Sequence, residues 1–88
     1  MNKNHPPPYL RSLATCKKVM IKSGYTENFV LGNSGFTSAT DNRLYDQAQV
    51  NIVATMRFEG NDSSREHAEL YVIETNDGVK GYVARTHL

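Results

Sequence analysis

Three histidines, one cysteine, a serine beside glycines and nine acidic side chains are the groups through which this 88-residue chain could do chemistry. A metal site needs two or more imidazole, thiolate or carboxylate donors at a spacing that gathers them at one point. His5, His67 and His87 lie far apart, and neither His-Glu-x-x-His nor Cys-x-x-Cys occurs. All three are expected on the surface, with no metal bound. A lone Cys16 excludes an internal disulfide and a cysteine-only zinc site, and reads as a core thiol. Gly32-Asn33-Ser34-Gly35 has the outline of a turn around a nucleophilic serine. That elbow needs glycine two residues after the serine, and position 36 is Phe, so a plain turn is expected. Asp46, Glu59, Asp62, Glu66, Glu69, Glu74 and Asp77 fall mainly in polar stretches, and no two stand out as an acid–base couple. No catalytic residue, metal or cofactor is expected.

Binding is the remaining class of role. Tyr25, Phe36, Arg43, Tyr45 and Tyr82 are the candidate contacts to a protein partner, together with the long connections at 33–46 and 59–68. Tyrosine suits an interface because it offers a rigid apolar face with a hydroxyl that tolerates water. In a chain without Trp some tyrosines must be core, and Tyr71 is the one expected there. Arg11, Lys17, Lys18 and Lys22, with Tyr9 and Tyr25 as stacking faces, form an alternative set for nucleic-acid phosphates. Small nucleic-acid-binding domains usually have a pI above about 9. The value here is 7.9, which favours a solvated strand face for the lysines. Pro6-Pro7-Pro8-Tyr9 fits a Pro-Pro-x-Tyr ligand for WW domains, with a spacer as the plainer reading. Asn61-Asp62-Ser63 is a glycosylation sequon that matters only on a secretory route.

The elements that must position these groups are short. Residues 1–8 read as a Pro-rich tail and residues 9–88 as one domain. Apolar groups at 9, 10, 13 and 16 predict a short helical turn. Lys18–Lys22 alternates, which predicts a strand with Val19 and Ile21 on one side. Phe29-Val30-Leu31 is a second apolar run, and the Gly, Asn, Ser, Thr and Asp of 32–42 predict a loop. In Val50–Phe58, positions 50, 52, 54, 56 and 58 are all apolar, which predicts a strand with five apolar side chains on one face. A polar connection follows, where Ser63 and Glu66 have capping-box spacing. Leu70–Thr75 is strand-like, Asn76-Asp77-Gly78 is a tight-turn signal, and Gly81–Arg85 completes a hairpin before Leu88. Short strands punctuated by turns predict an all-β fold, a small barrel or sandwich.

Net charge is +1, with six basic and two acidic side chains in residues 1–44 against four and seven in 45–88. Such a dipole could seat a partner, unless folding interleaves the halves. No apolar run approaches a signal peptide or the ~20 residues of a membrane span. With one unpaired Cys, the expectation is a cytoplasmic protein.

Leu70-Tyr71-Val72-Ile73, Asn76-Asp77-Gly78-Val79-Lys80-Gly81-Tyr82-Val83 and Leu88 together resemble the end of a bacterial SH3-type domain. Ile21-Lys22-Ser23-Gly24 and Val30-Leu31-Gly32 are similar to that family's opening segments, so the resemblance spans about residues 17–88. Tyr25 stands where the family has proline, Leu70 where it commonly has Trp, and residues 33–46 exceed its usual connection. The resemblance implies an SH3-like barrel of about five antiparallel strands that binds peptides or cell-wall glycopeptides without catalysis. Members usually act outside the cytoplasm, beside a hydrolase or behind a signal sequence. The expectation here is a repurposed barrel, of the kind a phage or mobile element encodes, that binds and modulates another protein. A nucleic-acid or transcription/translation accessory and a cell-wall-binding barrel are the alternatives. Self-association through unpaired edge strands stays open.

Overall fold

In the computed structural model, residues 7–60 and 66–87 are described. His5 and Pro6 of the tail, the sequon at Asn61–Ser63 and the closing Leu88 lie outside them. Helix α1 spans Pro8–Lys22 and opens on proline, whose fixed φ suits a first helical turn. Tyr9, Leu10, Leu13, Cys16 and Met20 recur every three to four residues and form the stripe that packs on the sheet. Ser23 and Gly24 end the helix, with Gly24 at φ 103°. Two expectations are corrected here. The helical turn foreseen at 9–16 continues to Lys22, and Lys18–Lys22 is helix, not strand. Continuing the stripe half-buries Cys16 and Met20, whereas Val19 and Ile21 remain exposed on the outer face.

Among the described residues six strands follow: β1 Glu27–Gly32, β2 Gly35–Ser38, β3 Leu44–Tyr45, β4 Val50–Glu59, β5 His67–Thr75 and β6 Lys80–His87. They form one mixed sheet in the order β3-β2-β1-β6-β5-β4. The region expected as a loop at 32–42 holds a tight hairpin, in which Gly32 pairs with Gly35 and Leu31 with Phe36. Two antiparallel meanders, β1-β2-β3 and β4-β5-β6, are joined by a short parallel pairing of Glu27 with Gly81 and Asn28 with Tyr82. Glycine is required at that junction. A Cβ on Gly81 would run into the Glu27 carbonyl oxygen and lie 2.6 Å from Phe29 Cε2.

The protein is thus predominantly β with a single helix among the described residues. The closed five-stranded antiparallel barrel is not what these strands make. The two-residue β3 is connected to β4 by a 3-10 turn at Gln47–Gln49 and is not hydrogen-bonded to it, so β3 and β4 are both sheet edges. In that turn the Asp46 carboxylate accepts from the Gln49 amide, and the Gln49 side chain accepts from the Asp46 amide.

Each face of the sheet has its own core. On one face α1 covers Ala68, Leu70 and Tyr82, with Met56 and Phe58 beside them. On the other, the first meander folds over β5 and β6, enclosing Phe29, Phe36, Tyr45, Ile73 and Val83. Strand β4 serves both faces through a bulge. Its register against β5 shifts between Ile52, opposite Ile73, and Ala54, opposite Val72. An extra residue in a strand reverses the alternation beyond it. The five apolar side chains expected on one face are therefore divided: Val50 and Ile52 go to the meander side, Ala54, Met56 and Phe58 to the helix side. No helix among the described residues is long and apolar enough to cross a membrane.

Candidate functional site: a groove beside an uncharged edge strand

Where the first meander stops short of β4, a groove of about 380 Å³ remains, lined by Leu31, Phe36, Gln47, Val50, Ile52 and Tyr71. The lining is apolar except for Gln47 and the Tyr71 hydroxyl, which donates to Glu69 Oε1 at 3.1 Å. One wall is β4, ten residues long and, among the described residues, paired with β5 alone. From Val50 to Met56 it carries no charged side chain, and Ile52 and Val53 are 50% and 46% exposed. Charge begins only at Arg57, whose guanidinium pairs with Glu59 at 2.5 Å. The free edge of β4 thus presents outward-facing backbone donors and acceptors beside an apolar slot.

Two carboxylates hold the opposite wall. Glu27, at the start of β1, accepts from the Ser38 hydroxyl and from the Thr40 amide and hydroxyl, at 3.1 and 3.0 Å. The Ser38 bond foremost, with Thr40 in support, holds this carboxyl below its ordinary value against the upward push of partial burial. Asp77, in the β5–β6 turn, reaches the first meander. It accepts from the Tyr45 hydroxyl at 3.1 Å and pairs with Arg43 at 3.0 Å, while Thr75 donates to its other oxygen at 2.5 Å. The Thr75 bond, then Tyr45 and the Arg43 charge, keep the Asp77 carboxyl below its usual range. Nothing but a turn signal marked Asp77 in the sequence, because Tyr45 and Arg43, its partners in the first meander, lie more than thirty residues upstream.

The residues expected to touch a protein are distributed otherwise than their composition suggested. Phe36, Tyr45 and Tyr82 are only 4%, 2% and 8% exposed and belong to the core, Phe36 also lining the groove. Phe29 and Tyr45 meet edge to face at 5.9 Å, which accounts for Tyr45 turning inward. Arg43 is exposed, stacked 5.1 Å over the Tyr45 ring and paired with Asp77. Tyr25 is half-buried, its hydroxyl donating to Glu74 Oε2 at 3.0 Å with Lys80 5.5 Å over its ring. Tyr71, expected in the core, is half-buried on the groove. Of the groove lining, Phe36 was among the expected contacts, whereas Leu31, Gln47, Val50 and Ile52 were missed because the bulge and the open edge leave no mark on apolar alternation.

The basic residues are brought together by α1. Arg11, Lys18 and Lys22 are exposed and recur at a spacing of seven and four, along one side of a helix that contains no acidic residue. Lys17 is half-buried, its ammonium 5.9 Å from the Tyr82 ring centroid. Tyr9 belongs to the core at 6% exposure and offers no stacking face, nor an accessible tyrosine for the Pro-Pro-x-Tyr motif. Ser34 is exposed in the β1–β2 turn and Cys16 is half-buried on the sheet-facing side of α1. The histidines depart most from expectation. Strand register places His67 opposite His87, and their rings stack at 4.4 Å with Glu69 adjacent. No family model, curated protein or solved structure matches this chain.

Proposed function

We propose that the chain is a non-catalytic binding module that takes an extended segment of another protein along the β4 edge. The observation that carries this reading is a ten-residue edge strand, uncharged from Val50 to Met56, that borders an apolar groove. Sheet proteins usually blunt such edges with charge or proline, because unpaired backbone groups template another strand. A segment added there gains main-chain hydrogen bonds from β4 and places an apolar side chain between Phe36 and Ile52. The resemblance of the terminal hairpin to SH3-type domains, which bind peptides without catalysis, agrees with this role.

Selection of short random peptides displayed against the purified chain tests it. Enriched peptides should alternate apolar and polar residues, and Ile52→Lys should weaken them by tenfold or more while the melting temperature holds. Ile52 is half-exposed, so its replacement empties no core. Peptides that bind Ile52→Lys equally well, or a selection that enriches nothing, would remove the reading. A dimer dispersed by the same substitution would put a second copy on the edge instead.

A second reading rests on the acid-free basic side of α1. If that side binds nucleic acid, affinity for single-stranded or duplex DNA should fall steeply with salt, and Lys18→Glu with Lys22→Glu should abolish it. Binding that ignores salt or both charge reversals would exclude α1.

A further inference from the structure

Strands β5 and β6 carry a donor set that the groove does not use. His67 and His87 are directly opposed across the antiparallel pair, where Cβ atoms stand about 5 Å apart. Glu69 lies two residues along β5 and so projects from the same face as His67. Its Oε1 is 3.2 Å from His87 Nε2, and one donor atom from each residue falls within 4.8 Å of the other two. We propose that His67, Glu69 and His87 form a binding site for one zinc ion, clamping the open end of the β5–β6 hairpin.

The chemistry of the set favours that metal. Two imidazole nitrogens and one carboxylate oxygen suit zinc and its borderline neighbours, whereas magnesium and calcium prefer all-oxygen shells. Zinc holds nitrogen and oxygen donors at about 2.0–2.2 Å in a tetrahedron, so the donors must close to roughly 3.3 Å apart. The Glu69–His87 separation already matches, and His67, whose donor lies within 4.8 Å of the other two, must close the remaining distance on binding. Three protein donors leave a fourth position for water. The side chains of Glu69 and His87 are 19% and 35% exposed, which leaves an entry path. The Tyr71 hydroxyl, donating to Glu69 at 3.1 Å, orients the carboxylate as metal-site outer partners do. Arg85 on β6 and Arg57 on β4, both opposite Glu69 in register, are cationic neighbours that zinc must displace or tolerate. The site does not depend on the β4 edge and can be present whether or not a peptide binds there.

The test uses the full chain without a histidine tag, stripped with chelator and titrated with zinc chloride by calorimetry. One equivalent should bind, His67→Ala and His87→Ala should each weaken it by about tenfold or more, and Glu69→Gln should weaken it similarly. His5→Ala and Cys16→Ser should leave uptake unchanged, and magnesium chloride should give no heat. In the unaltered chain, zinc should shift the ring NMR signals of His67 and His87 and not those of His5, which reads the site without any variant. Absence of uptake, uptake insensitive to both strand histidines, or loss with His5→Ala or Cys16→Ser would overturn the proposal.

Discussion

At the scale of residues, the wall of the groove opposite β4 depends on a few polar side chains that tie distant segments. Glu27 is the most exacting, since its carboxylate accepts three bonds from Ser38 and Thr40. Its lowered pKa means that the folded form binds a proton less readily than the unfolded chain. Stability from this group is therefore complete above the ordinary carboxylate value and is lost as pH falls through the lowered folded value. Glu27→Gln should cost about 1–2 kcal/mol at neutral pH and flatten part of the acid limb of the stability curve, as followed by urea unfolding across pH. An acid limb identical to that of the parent chain would show that Glu27 is not a linkage site. None of this could be read in the sequence, where Glu27 is one isolated acid before an apolar run.

At the scale of elements, the second meander was legible and the first was not. The Asn76-Asp77-Gly78 turn and its flanking strands occur where turn chemistry and β-branched residues put them. Helix α1 was half seen, because Val19 and Ile21 mimic a strand once the longer stripe from Tyr9 to Met20 is overlooked. The bulge in β4 was hidden by its own regularity, since alternation at 50, 52, 54, 56 and 58 looks the same with or without a change of face. The parallel join of β1 to β6 rests on close backbone approach at Gly81, which no pattern advertises. Gly81→Ala should cost about 1–3 kcal/mol by overpacking and loosen the meanders from each other. The check is a lowered denaturation midpoint with faster amide exchange at 27–32, and an unchanged midpoint would refute the tight junction. On β4, the half-exposed Val53 can be replaced by Lys with stability changed by no more than about 0.5 kcal/mol, measured by the same denaturation.

At the scale of the whole molecule, two cores lie back to back across one twisted sheet, and the open edge is where the second core is incomplete. Charge divides along the chain as composition showed, with the acid-free helix on one face and the Asp77 and Glu27 ties on the other. The halves are interleaved by the parallel β1–β6 pairing, so the sequence dipole does not translate into two charged lobes. The surfaces on which the two proposed readings rest are the β4 edge with its groove and the long side of α1. The first follows from topology, which depends on contacts between residues 27–28 and 81–82 and so escaped linear reading. The second was visible as residue types, although the helix that aligns them was expected to be a strand.

The most direct test of the central claim is backbone amide exchange along Val50–Met56, with and without a peptide selected for binding. The amides that point away from β5 should exchange rapidly in the free chain and become protected when the peptide pairs with the edge. Protection confined to other strands or to α1, with these amides unchanged in the bound state, would contradict the account.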